Sequence, residues 1–240
     1  MAEPAQRSRI VGILGGMGPA ATADFYTKLI AATPARVDQD HLRVVMWADP
    51  TVPNRHEALI DGGLDPTPWL EKGVTELVRC GAEIIVVPCN TVHAYLPRVV
   101  DNKDVEFISI IDTAVEAICH ASSGSRVGLL AADGALSSGL YQRELRRVGK
   151  EPVIPAAAAQ AALMRSIYNI KAGSPPIHEQ PQVNLIVDRL RVDGVTSLIV
   201  GCTELSLVFT NVEVDIPVID PSHALALKTV ERARARESSR

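Results

Sequence analysis

Aromatic residues are scarce: Phe, Trp and Tyr make up 4% of the 240 residues. The stacking platforms that hold single-stranded nucleic acid are therefore not expected. A surplus of positive charge is missing too, with 24 Lys and Arg against 28 Asp and Glu and a formal charge of −4. A surface that neutralises phosphates needs a basic stripe, so no nucleic-acid partner is expected. No apolar run approaches the roughly 20 residues that span a bilayer. The opening MAEPAQRSR also lacks the apolar stretch of an export signal. No membrane partner and a cytoplasmic location are the expectations. Cysteine is sparse: Cys80, Cys89, Cys119 and Cys202 form no CxxC pair, which argues against a zinc ribbon or a thioredoxin-type site. His56, His120, His178 and His223 show no metal-ligand spacing, so no metal is expected.

What the chain has is a 47% hydrophobic composition, enough to bury a sizeable core. Short β-branched runs alternate with helical stretches. Residues 9–14 (RIVGIL), 42–47, 84–87 and 107–111 read as strands. Residues 21–32, with Phe25, Leu29 and Ala32 at helical spacing, read as a helix, as do 67–80 and 112–119. This order predicts an α/β fold with parallel sheets covered by helices. The stretch KAGSPPIHEQPQ (171–182) reads as a loop, and the tail ERARARESSR as a fraying helix end and a disordered terminus.

The pattern repeats. VGIL at 11–14 matches VGLL at 127–130 at an offset of 116, which also sets Gly18 on Gly134, Phe25 on Tyr141 and Leu29 on Leu145. IVVPCNT matches LIVGCTE at 113, placing Cys89 on Cys202, and ISIID (108–112) matches IPVID (216–220) at 108. Three matches in one order predict two pseudo-symmetric lobes facing each other: residues 1–112, and residues 113–220, with a terminal helix at 221–240 packing back on the first.

Cys89 and Cys202 each fall just beyond the end of a buried strand, where open α/β sheets hold their ligands. A free thiol has a pKa of about 8.5, and a helix N-terminus after the strand would favour the thiolate. Cys80 and Cys119 read as ordinary buried residues on apolar helix faces. One thiol on each side of a bound molecule suits removal of a proton from one face of a carbon and its return on the other.

The segments GGMGP (15–19), PNR (53–55), PCNTVHAY (88–95), IYNIKAG (167–173) and GCTEL (201–205) together resemble the aspartate/glutamate racemase family, in its aspartate racemase branch. The resemblance covers nearly the whole chain. It implies two Rossmann-like lobes with the active site between them, a homodimer, and no cofactor. It also implies a two-base racemisation of an acidic amino acid by the cysteines matching Cys89 and Cys202. Arg55 and Lys171 match positions that hold substrate carboxylates. The guanidinium fork suits a bidentate clamp, and Lys171 suits a point charge. Asn90, Thr91 and Thr203 are expected to hydrogen-bond the substrate, with Gly16 and Met17 beside it. Gly15, Gly16 and Gly18 have backbone N–H groups suited to an anion. Glu204 would orient the neighbouring thiol or cap a helix, and His93, one turn after Cys89, would tune that thiol or serve the structure.

One stretch departs from the family pattern. Relatives commonly carry threonines in a segment like LLATxGT, where this chain has LLAADGA (129–135). Ala132 and Ala135 lack two hydroxyls, and Asp133 is placed where it would face the site and disfavour an extra anion. Loss of a donor changes specificity more than it changes the reaction. The alternatives are another isomerase of a small dicarboxylate, maleate-like, a non-catalytic small-acid binding protein, and a redox dithiol.

Overall fold

The computed structural model describes residues 8–209 and 214–235. Its framework is two four-stranded sheets. The first, in the order β2-β1-β3-β4, contains β1 (Val11–Gly15), β2 (Val44–Ala48), β3 (Ile84–Val86) and β4 (Glu106–Ile108). The second, β6-β5-β7-β8, contains β5 (Arg126–Leu129), β6 (Glu151–Val153), β7 (Ser197–Ile199) and β8 (Val218–Ile219). Every pairing in both is parallel, as the alternation of strand and helix predicts. The central strands β1, β3 and β7 are buried throughout because helices cover both faces. These helices are α1 (Pro19–Ala32), α2 (Arg55–Ile60), α3 (Thr67–Arg79), α4 (Leu96–Val100), α5 (Ile110–Ala121), α6 (Asp133–Ser138), α7 (Leu140–Arg147), α8 (Ala157–Lys171), α9 (Pro176–Val192), α10 (Thr203–Phe209) and α11 (Pro221–Arg234).

The two sheets share one topology, and their registers test the repeat. Val11 lies opposite Ile84, and Val127 opposite Ser197, so the offsets of 116 and 113 hold in space. The third does not. Phe107 pairs with Ile85 and Val218 with Leu198, which makes the structural offset 111 rather than 108. The letters ISIID and IPVID misalign because Ile110 already belongs to α5, whereas Ile219 ends β8. At the corrected offset Ser109 falls on Asp220, and each caps the helix that follows by accepting a backbone N–H.

Among the described residues, three apolar clusters form the core. One lies outside the first sheet, around Leu70, Val74, Ile85 and Leu96. A second lies outside the second sheet, around Leu163, Ile186, Leu190 and Leu198. The third joins the sheets, with Val11, Phe25 and Ile84 packed in one cluster with Val127, Tyr141 and Ile199. Helices α5 and α11 pack on each other in this shared core; α5 also meets α7, β7 and β8, and α11 meets α1, β3 and β4.

Two expectations are corrected. The segment 171–182 is not all loop, because α9 begins at Pro176. A proline at the first helical position loses no bond, since that N–H has no partner inside the helix. Cys80 and Cys119 are exposed rather than buried; both lie at or near the C-terminal ends of their helices, on the side turned to solvent. Helix α11 ends at Arg234, and the predicted disordered tail, residues 236–240, lies outside the described residues.

Candidate active site

In each sheet the chain leaves the two central strands in opposite directions, so the loops after them part. Crevices of this kind at carboxyl ends of parallel strands are where open sheets bind ligands. Here the two crevices share one cleft of about 730 Å³, part of it open to solvent. The loop after β1 contributes Met17, and the loop after β3 contributes Cys89, Asn90 and Thr91. From the other sheet come Ala132 after β5, then Gly201 and Cys202 after β7, followed by Thr203 and Glu204 at the start of α10. Asn54, Arg55 and His56 reach the cleft from the start of α2, and Met164, Ile167, Tyr168 and Lys171 from α8.

Cys89 and Cys202 are each 6% exposed and neither is in a disulfide. The Cys202 thiol donates to Glu204 Oε2 at 3.2 Å, and Glu204 Oε1 pairs with Lys171 Nζ at 3.0 Å. Glu204 thus holds the thiol rather than merely capping a helix. Burial pushes the Cys202 thiol well above its ordinary range, the Glu204 carboxylate adds to the shift, and the Lys171 ammonium opposes it. For Lys171, burial works to lower the pKa, but Glu204 and the two nearby thiols outweigh it and the net shift is upward. The ammonium therefore stays charged.

His93 is bonded to the backbone on both sides of its ring. Its Nε2 accepts the backbone N–H of Ile110 at 3.1 Å, which makes Nδ1 the protonated nitrogen, and Nδ1 lies 2.8 Å from the Cys89 carbonyl oxygen. The ring therefore ties the cysteine loop to the start of α5. Burial lowers its pKa to about 4, with the bond to Cys89 opposing.

Arg55 has its fork engaged. Nη1 donates to the carbonyls of Val52 (3.2 Å) and Pro53 (3.1 Å), and Nη2 to that of Met17 (3.1 Å). It fastens the loop after β1 to the entry of α2, leaving Nε buried and unpaired. Asn90 Nδ2 and His56 Nδ1 are likewise buried without partners. Buried polar atoms are nearly always hydrogen-bonded in native proteins, and these three belong to residues lining one cleft.

Several expected residues stand elsewhere. Gly16 is not at the cleft wall; its N–H donates to Thr22 Oγ1 at 2.9 Å. Its φ of +92° and the Asp49 backbone, 2.5 Å from where a Cβ would lie, require glycine for the approach of β1 to β2. Asp133 does not line the cleft but accepts from Gln160 Nε2 at 2.6 Å; of the two alanines, only Ala132 lines it. Asn54, Ile167 and Tyr168 lie within the PNR and IYNIKAG segments without a role given to them, and His56 and Met164 lie outside every such segment. For α8 a signal existed: Met164, Ile167, Tyr168 and Lys171 follow the helical spacing that puts them on one face. Among the described residues, no three His, Cys, Asp or Glu side chains are grouped to hold a metal, and no helix is long and apolar enough to cross a membrane.

Two parallel sheets of one topology, each bringing a buried thiol to a shared cleft, make a two-lobed α/β scaffold. Residues 14–229 match the Asp/Glu/Hydantoin racemase model, and the chain belongs to that family as an amino-acid racemase. It is 28% identical over 238 residues to the broad specificity amino-acid racemase RacX of Bacillus subtilis (strain 168), covering 95% of this chain and 100% of that one. Among solved structures, Picrophilus torridus aspartate racemase is 33% identical with a TM-score of 0.84, over 95% of each chain. PH1733, an aspartate racemase homologue from Pyrococcus horikoshii OT3, is 25% identical with a TM-score of 0.77, over 95% of this chain and 100% of that one.

Proposed function

We propose that this racemase inverts the α-carbon of an acidic amino acid, aspartate before glutamate, without a cofactor, using Cys89 and Cys202 as alternating base and acid. The observation that carries this reading is the pair of buried free thiols, on equivalent loops of the two lobes, lining one cleft. One thiolate takes the α-proton, the electron pair delocalises into the α-carboxylate, and the opposite thiol delivers a proton to the other face. The raised pKa of Cys202 suits it to be the acid while Cys89 is the base. In the reverse direction Cys202, left as the thiolate, takes the α-proton and the Cys89 thiol returns one to the opposite face. The unpaired Arg55 Nε and Asn90 Nδ2, with Lys171, offer donors and charge for the carboxylates and the electron density that develops there, and His56 Nδ1 adds a donor in the tautomer protonated there. The similarity to an aspartate racemase over nearly the full chain favours aspartate. A homodimer is part of this reading, as the family resemblance implies.

A second reading is tolerance of uncharged side chains. Met17, Met164 and Ile167 give the cleft an apolar wall, and the Lys171 charge is already paired with Glu204. The relative named for broad specificity is consistent with it.

The test is deuterium wash-in at Cα in D₂O, read by proton NMR with chiral chromatography on the same samples. Both enantiomers of aspartate and glutamate are used, with neutral amino acids alongside. Exchange with inversion is expected for aspartate, and Cys89→Ser and Cys202→Ser should each reduce it by roughly 10²–10⁴-fold. Preserved turnover in either variant sinks the two-base mechanism. Faster exchange of neutral amino acids selects the second reading.

A further inference from the structure

Tyr141 has no part in the mechanism above, yet it touches both cysteine loops. Its ring is fully buried, and its hydroxyl donates to Oδ1 of Asn90, the residue after Cys89, at 2.6 Å. Gly201, the residue before Cys202, lies against the same ring: a β-carbon there would be 3.1 Å from Tyr141 Cε2. One side chain on α7 of the second lobe therefore bears on the loop after β3 in the first and the loop after β7 in its own.

The bond has a chemical consequence because an amide has two unlike ends. With Oδ1 taken by the phenol, the NH₂ end of Asn90 is the free one, and Nδ2 is buried without a protein partner on a residue that lines the cleft. A carboxylate needs donors, so only this orientation serves an anionic ligand. Without the phenol, nothing in the hydrogen-bonding pattern prefers it.

The pseudo-symmetry separates this arrangement from ordinary packing. At offsets of 116 and 113 the counterparts of Tyr141 and Asn90 are Phe25 and Thr203. Phe25 is as fully buried as Tyr141. The ring is common to both lobes; the hydroxyl and the amide that receives it occur in one.

We propose that Tyr141 is a positioning residue that fixes the Asn90 amide with its NH₂ toward the substrate carboxylate and seats the Cys89 loop against the Cys202 loop in that setting. The proposal rests on the reading of the cleft as the racemase site.

Two measurements test it. The first needs no turnover: the side-chain NH₂ pair of Asn90 in the ¹H–¹⁵N spectrum, identified by its loss in Asn90→Ala, is compared between wild type and Tyr141→Phe. The pair is expected to shift and to flip faster in the variant; an unmoved pair overturns the proposal whatever the activity. Should Tyr141→Phe fail to fold, wild-type protein labelled with 3-fluorotyrosine, whose phenol is more acidic, is read in the same way. The second is a double-mutant cycle on aspartate racemisation. Tyr141→Phe is expected to raise KM by roughly three- to tenfold with a smaller change in kcat. In an Asn90→Ala background it should have no further effect. An equal loss in both backgrounds means that Tyr141 acts by packing alone and overturns the proposal. If wild type exchanges no amino acid, the functional reading fails, and the spectrum still decides the role of Tyr141.

Discussion

Glu204 is the residue on which the two sides of the cleft differ most, since it accepts from the Cys202 thiol and pairs with Lys171 at once. Burial would keep Cys202 protonated by itself; the carboxylate deepens the effect and the ammonium relieves it. Replacing Glu204 by Gln removes the anion and leaves Lys171 unopposed, so the pH midpoint for alkylation of Cys202 by iodoacetamide, followed by mass spectrometry, should fall. Lys171→Met should raise it. His93 gives a stability prediction of definite sign. Its folded pKa of about 4 lies below the unfolded value of 6.5, so the unfolded chain binds the proton first. Its contribution is complete above pH 6.5 and is lost as pH falls toward 4, amounting to up to about 3 kcal/mol. Urea denaturation at stepped pH should show this loss, and a His93→Gln protein should lack that component. At this scale the paired cysteines were legible because the repeat sets them on each other. The engagement of Arg55 by three backbone carbonyls was not. Those carbonyls come from turns whose geometry is not written in residue spacing.

Among elements, the four strands of the first lobe and its longer helices α1, α3 and α5 are readable within a few residues, because buried parallel strands are β-branched runs closed by glycine or proline; the short helices α2 and α4, of six and five residues, have too few turns to show a period. Helix α9 was misread for a physical reason. Pro175, Pro176 and Pro181 are all loop signals, yet the first two precede or begin the helix, where proline is harmless, and only Pro181 lies inside it. There it removes an N–H and crowds the carbonyl four residues back. Pro181→Ala is therefore expected to stabilise the protein by about 1–3 kcal/mol, seen as a higher thermal midpoint; a lower one would mean that the proline shapes the helix to its seat. The third repeat failed at the same scale: the letters matched, but a strand end in one lobe was aligned with a helix start in the other.

In the molecule as a whole, the two lobes are not separate bodies joined by a tether. Phe25, Val11 and Ile84 of the first lobe share a core with Tyr141, Val127 and Ile199 of the second, and α5 and α11 pack across it. Removing one lobe would expose this entire surface of the other. Residues 1–112 and 113–240 expressed apart are thus expected to remain unfolded by circular dichroism, whereas the whole chain unfolds in one transition by both calorimetry and fluorescence. Two separated transitions would refute the shared core as the source of cohesion. The sequence repeat announced two similar halves but gave no sign of how closely they join, because a core residue looks the same whichever lobe it faces.

The uneven surroundings of the two thiols meet a constraint that no protein can evade. Mirror-image amino acids have equal free energy in water, so the equilibrium constant of a racemase is one and kcat/KM must be identical for the two enantiomers. The carboxylate beside Cys202 cannot favour one direction. It can only divide each ratio differently, so that whichever enantiomer the cleft binds more tightly is turned over more slowly by the same factor.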